Sequence, residues 1–179
     1  ENLRTTKYND GTGISLVTAN TTWDNLTTPA YCWSNNNDSD GEIYGALYNW
    51  YALKTGKLCP TGWHVPNDSE WKQLEIHLGM TQAVADQGDW RGVDEGGKLK
   101  ETGFSHWNSP NTAATNNSGF TAIPNGGRQS GGTFIDRGKM ASFWVHDYLN
   151  AHVRAFNYEL TTICNRSTNG QIGLSVRCV

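Results

Sequence analysis

The sequence predicts an α+β domain with helices in its first half and an antiparallel sheet in its second, and three observations carry that expectation. Large apolar residues recur at helical spacing before Gly88 and not after it. From Gly119 onward, short runs alternate apolar and polar residues between Gly, Asn and Ser, which is the period of strands with one covered face. Helices followed by strands, rather than alternating with them, are the order of an α+β chain and not of a βαβ repeat. At 179 residues one hydrophobic core suffices.

The elements follow in chain order. Residues 1–40 are rich in Thr, Asn and Gly and read as an irregular opening, with short strands at Ile14 to Thr18 and around Tyr31 to Trp33. From Ile43 to Leu53, Tyr44, Leu47, Tyr48 and Tyr51 fall on one helical stripe with Gly56 behind it as a terminator, which predicts a first helix. The segment VPNDSEWKQLEIHLG predicts a second. Pro66 precedes an N-cap at Asn67, Glu70 completes a capping box, and Trp71, Leu74 and Leu78 repeat at helical spacing before Gly79. A helical turn is expected over Thr81 to Gln87, and glycine interrupts GDWRGVDEGGKLKETG too often for a long element. The runs FTAIP, GTFID, SFWVH, AHVRAFNYEL and IGLSVRCV read as strands. Trp63, Trp90 and Trp107, in the loops between the halves, are expected to form core under an irregular covering.

Composition narrows the function. Charged residues make up 17% of the chain and the formal net charge is −3, so there is no basic field to hold a phosphate backbone, and nucleic acid is not an expected partner. No apolar run approaches the roughly 18 residues that span a bilayer, and any export signal is expected upstream of the polar opening ENLRTTKYNDGT. The four cysteines, Cys32, Cys59, Cys164 and Cys178, contain no CxxC pair and no histidine at zinc-ligand spacing. Four cysteines permit three complete pairings. Cys59 with Cys178 is preferred, because closing a loop of more than about a hundred residues is worth about 4 to 5 kcal/mol in chain entropy, with four reduced, buried thiols as the alternative.

The blocks NLRTTKYNDGT, YCWSNNN, YGALYNWYAL, TGKLCPTGWHVPNDSEW, GGKLKETG, HWNSPNTAATNNSGFTAIPNGGR and SVRCV together resemble the Fibrobacter succinogenes major paralogous domain family over nearly the whole chain. The resemblance implies an exported protein or lipoprotein of a gut-associated bacterium. It also implies a single domain over residues 1–179 with a C-type-lectin-like fold: two helices and a twisted antiparallel sheet with long irregular loops. The family begins a little upstream of Glu1, so a truncated N terminus is expected, with a possible lipid anchor before it.

The span FWVHDYLNAHVRAFNYELTTICNRSTNGQIGLSVRC departs from the serine- and asparagine-rich filling usual in the family, and here the chain resembles the variable proteins of diversity-generating retroelements. Arg154, Phe156 and Tyr158 match framework positions. Alternation along a strand then puts Val153, Ala155, Asn157 and Glu159 on the opposite, outer face. The resemblance implies a variable face at about residues 143–172. It would be lined by Trp144, Val145, His146, Asn150, His152, Ala155, Glu159, Thr162, Cys164, Asn165, Arg166 and Thr168, and an exposed Trp144 would act as a hot spot for a protein or glycan ligand. The alternatives are a structural or assembly domain of a surface appendage or adhesin tip, and a degenerate enzyme of the formylglycine-generating type.

Catalysis is not expected. Of His64, His77, His106, His146 and His152, only the last two fall in the candidate face, and there is no GxSxG elbow or Cys-His motif. The paired thiols that hold copper in the formylglycine-generating enzyme have no clear counterpart, and Cys164 reads as an incidental substitution, free or paired with Cys32. No cofactor is expected. Asn36, Asp38 and Asp40 before Gly41 have calcium-loop spacing, but the twelfth position from Asn36 is Leu47, so a polar turn is preferred to a metal site.

Overall fold

Two of the alternating runs, SFWVH and AHVRAFNYEL, enter a four-stranded antiparallel sheet together with two stretches not read as strands, and its two faces organise the rest of the chain. Its order is β4 (Asp89–Arg91), β9 (Ile163–Ser167), β8 (His152–Asn157) and β7 (Met140–Val145). This computed structural model describes residues 1–147 and 149–179; Tyr148, inside the span expected to vary, lies outside the described residues. Register places Phe143 opposite Arg154 and Trp144 opposite Val153. On one face Ala141, Phe143, Val145, Phe156 and Ile163 pack with Trp71, Leu99 and Trp107. On the other, Trp144, Val153, Ala155 and Cys164 pack with Tyr48, Leu53 and Val176.

Both faces of β8 are therefore covered, which corrects the expectation of an outer, ligand-facing side at Val153 and Ala155. The cover comes from the end of the chain. IGLSVRCV is not a strand of this sheet but lies between it and a smaller one, bridging each: Trp144 N donates to Ser175 O at 3.0 Å, and Tyr48 N, in the smaller sheet, to Leu174 O at 2.9 Å.

Two smaller sheets complete the β structure. In the first, β1 (Ser15–Leu16) runs parallel to β2 (Ala30–Trp33), which pairs antiparallel with β3 (Ala46–Tyr48). The second joins β5 (Gly127–Arg128) to β6 (Phe134–Ile135). FTAIP contributes only a bridge between Lys100 and Ala122.

Among the described residues there are six α-helices where two and a helical turn over Thr81 to Gln87 were expected: α1 (Asn20–Asp24), α2 (Asp38–Tyr44), α3 (Trp50–Lys54), α4 (Asp68–His77), α5 (Gln82–Ala85), which is the expected turn, and α6 (Glu95–Leu99). The second expected helix is α4, and its capping box is formed: Glu70 N donates to Asn67 Oδ1 at 3.0 Å and Asn67 N to Glu70 Oε2 at 2.8 Å. The first expected helix is instead the end of α2, then β3, then α3. Gly45 leaves α2 at φ 76°, where a Cβ would lie 2.8 Å from the Leu3 carbonyl. The next residues pair with distant chain, Ala46 N to Leu3 O at 2.9 Å, and Asn49 caps a new helix at Ala52 N. Tyr44, Leu47 and Tyr48 are buried as the stripe implied, on the wrong element. The polar NNNDSDGE stretch is a 3-10 turn over Ser34–Asn36 that runs into the start of α2, and both carboxylate oxygens of its Asp40 are taken by Arg137, at 2.5 and 2.9 Å.

Of the three loop tryptophans, Trp107 is core and donates to Ala122 O at 2.9 Å, whereas Trp63 and Trp90 are 58% and 39% exposed. Buried cations secure the irregular loops instead. Lys100 spends its three N–H donors on the carbonyls of Thr112, Asn157 and Leu160, at 3.0, 3.0 and 2.9 Å. Burial pushes this ammonium down to about 8, so it is charged at neutral pH. Arg128 donates to the carbonyls of Val17, Thr18 and Gly132 at 2.6, 2.8 and 2.8 Å and lies over the Trp23 ring. These two residues belong to the GGKLKETG and GGR blocks.

Cys59 and Cys178 form a disulfide across 119 residues of sequence, and Cys32 and Cys164 are free and buried. Replacing both bridged cysteines by Ser is expected to lower unfolding free energy by about 2–5 kcal/mol. Urea denaturation of the oxidised protein and of the variant measures it.

Candidate ligand-binding groove

Helix α4 is fixed to the sheet by a chain of charges. Glu75, sealed from solvent, accepts from Arg154 Nε on β8 at 2.8 Å and from Arg91 Nη2 on β4 at 2.5 Å. Arg154 also reaches Asp68 Oδ1, at 2.5 Å, in the first turn of α4, and Lys72 takes Asp68 Oδ2 at 2.9 Å. Burial alone would push the Asp68 carboxyl up, but Arg154 and Lys72 together outweigh it and hold the group below the ordinary carboxylate range. Arg91 spends its other donors on the carbonyls of Ala85 and Ile163, both at 3.3 Å.

This clamp fixes where the start of α4 meets the β7–β8 connection. Between them lies an open groove of about 770 Å³ lined by Asn67, Asp68, Ser69, Val145, His146, Asp147, Leu149 and His152. His146 N donates to Pro66 O at 2.8 Å, which ties the end of β7 to the residues before α4. At the tip, Asp147 Oδ1 accepts from the N–H groups of Leu149 and Asn150, at 2.8 and 3.2 Å, and these bonds hold its carboxyl below the usual range. Leu149 is 84% exposed, and the neighbouring Asn150 is exposed as well.

Only part of the expected residue set gathers here. His146 and His152 line the groove, Val145 is buried beneath it, and Asn150, exposed beside Leu149 in the chain, does not line it. Ala155, Arg166 and Thr168 are on the other side of the sheet, where they line a separate cavity of about 90 Å³ with Met140, Val153 and Ile172. Glu159 and Thr162, between β8 and β9, line neither.

Trp144 and Cys164 are corrected outright. Trp144 is buried, with Nε1 donating to Tyr48 O at 2.6 Å, so its ring and its polar tip are both spent on the core. Cys164 is buried in the same cluster, and burial raises its thiol. Asn165 is buried too and bonds Arg154, His152 and the Gln87 carbonyl. The residues the sequence did not suggest are Asn67, Asp68, Ser69, Asp147 and Leu149. The capping box marked the start of α4, but nothing local records that it would face the β7–β8 connection.

The family model described as the Fibrobacter succinogenes major domain matches residues 1–179. The chain belongs to this family. Comparison with curated proteins finds no match, nor does comparison with solved structures. In this Fibrobacter succinogenes major domain the shared blocks have framework roles. CPTGW supplies the bridged Cys59, and GGKLK supplies Lys100 together with Gly97, where a Cβ would come within 2.3 Å of the Ala113 carbonyl.

Removing one member of a buried ion cluster strands the others. Glu75→Gln is therefore expected to cost about 3–5 kcal/mol, whereas Gln73→Ala, on the exposed side of the same helix, is expected to change stability by less than about 0.5 kcal/mol. Urea midpoints at neutral pH compare the two.

Proposed function

We propose that this domain is a ligand-binding module displayed outside the cell, that it has a C-type-lectin-like fold, and that its C-terminal segment recognises a protein or glycan. One observation carries the reading. The exposed and half-exposed side chains of His146, Asp147, Leu149 and His152 gather in one open groove against α4, while the strands beside them are buried on both faces. Residues at such a tip can change without disturbing the frame, which suits a variable protein of a diversity-generating retroelement. The disulfide supports an oxidising compartment, at the cell surface or beyond it. Among the described residues no helix is long and apolar enough to cross a membrane. No catalytic role is assigned to the groove.

A second reading, an assembly domain of a surface appendage or adhesin tip, is favoured by a different surface. β4 is an outer strand of the large sheet; its Trp90 is 39% exposed, and Val93 just beyond it is 78% exposed. An apolar sheet edge of this kind suits packing against a neighbouring subunit.

The test is a screen of the purified domain against glycan arrays and bacterial and host surface proteins. It is run beside one variant with His146, Leu149, Asn150 and His152 changed to Ala and another with Arg166 and Thr168 changed to Ala. Selective binding that is lost in the first variant and kept in the second is the expected result. Binding unaffected by either folded variant, with a stable oligomer that dissociates on Trp90→Ser, would move the assignment to assembly.

A further inference from the structure

The orientation of one buried amide determines what the groove offers a ligand. Asn165 lies between two groups of fixed polarity. The Gln87 carbonyl can only accept and takes Asn165 Nδ2 at 3.1 Å, while the Arg154 guanidinium can only donate and is bonded to Asn165 Oδ1. Oδ1 is therefore the atom that faces β8. His152 Nε2 lies 2.7 Å from that same oxygen, and two acceptors do not make a hydrogen bond, so Nε2 carries a proton. In the neutral ring Nδ1 is then left with a lone pair. No described residue bonds to Nδ1, and the ring lines the groove half-exposed.

The groove adds the carboxylates of Asp68 and Asp147 as acceptors, and the Asn67 amide and the Ser69 hydroxyl as groups able to donate. Both Asp68 oxygens are occupied by Arg154 and Lys72, and their charges offset it. Asp147 has one oxygen on backbone N–H groups and no ion pair with a described residue. Asp147 is thus the one carboxylate of the groove not offset by a cation among the described residues, a weak field for a basic peptide. Val145 and Leu149 border these acceptors with apolar surface. Acceptors and neutral donors beside an apolar edge, with little net charge, match the hydroxyls of a ring that has C–H faces. We propose that the groove takes a neutral saccharide and that His152 Nδ1 accepts a hydrogen bond from one of its hydroxyls.

This rests on the groove reading above and adds the ligand class and a specificity-determining residue.

Two measurements test the proposal. Long-range ¹H–¹⁵N NMR of the imidazoles at about pH 7.5, with the His152 signals assigned by their loss in His152→Gln, is expected to show the Nε2–H tautomer; an Nδ1–H tautomer overturns the assignment. The second is an array of neutral oligosaccharides, with the best binder titrated calorimetrically into both proteins. The Gln side chain keeps a donor for Asn165 but has no acceptor at the position of Nδ1. Affinity is expected to fall about 3- to 10-fold in the variant, the loss of one hydrogen bond. Equal affinity in the two proteins overturns the role of His152. An array that binds no saccharide overturns the ligand class, and it leaves the groove reading standing where a surface protein binds and is lost on the fourfold alanine change.

Discussion

Two arginines and a glutamate, closed off from solvent, join α4 to the large sheet, and the placement of nearly everything around the groove depends on them. Charges this deeply buried are costly unless each finds its partners, and here they do. Glu75 has one oxygen on Arg154 and the other on Arg91, and the remaining guanidinium donors meet Asp68, Asn165 and two backbone carbonyls. The arrangement also specifies register. Sliding β8 by one residue would turn Arg154 into the apolar cluster of Trp144 and Tyr48 and turn Val153 toward Glu75. Apolar burial alone would discriminate less sharply, because both faces of this strand are covered.

The clamp carries through to the surface in two steps. Asn165 accepts from Arg154 and fixes its amide, and the same oxygen receives His152 at the groove. Asp68 accepts from Arg154 and also forms part of the groove wall. The positions of the exposed groups are thus set from beneath, while the groups themselves contribute little to the frame. This division between a charge-locked support and an exposed tip is what a recognition surface of changing sequence requires, and it is the physical content of the functional reading.

Legibility in the sequence followed the range of the interactions. α4 could be read because its signals are local: Asn67 and Glu70 close the capping box within four residues, and Trp71 faces inward one turn into the helix. The stretch from Ile43 to Leu53 misled for the opposite reason, since β3 exists through pairing with Leu3, Leu174 and β2, none of which is near it in sequence. The alternation of β8 was legible, but its meaning was not. Val153 and Ala155 do face away from Arg154, into a second core closed by the last residues of the chain. Trp144 was read as an exposed anchor because a Trp in a strand looks alike on either face until its Nε1–H finds the Tyr48 carbonyl. Of the candidate residues, His146 and His152 at the β7–β8 tip reached the groove, Asn150, Glu159 and Thr162, in the connections, line neither cavity, and the others went to the core or to the other side of the sheet.

The claim most exposed to refutation is that the frame does not depend on the side chains it presents. The direct measurement is the thermal midpoint of a single variant with Leu149, Asn150, Glu159, Arg166 and Thr168 all changed to Ala. Independence predicts a shift of less than about 4 °C, as for substitutions that touch no buried feature. A fall on the order of 10 °C, the scale expected for breaking a buried ion cluster, would mean that the exposed residues hold the frame together and would contradict the account.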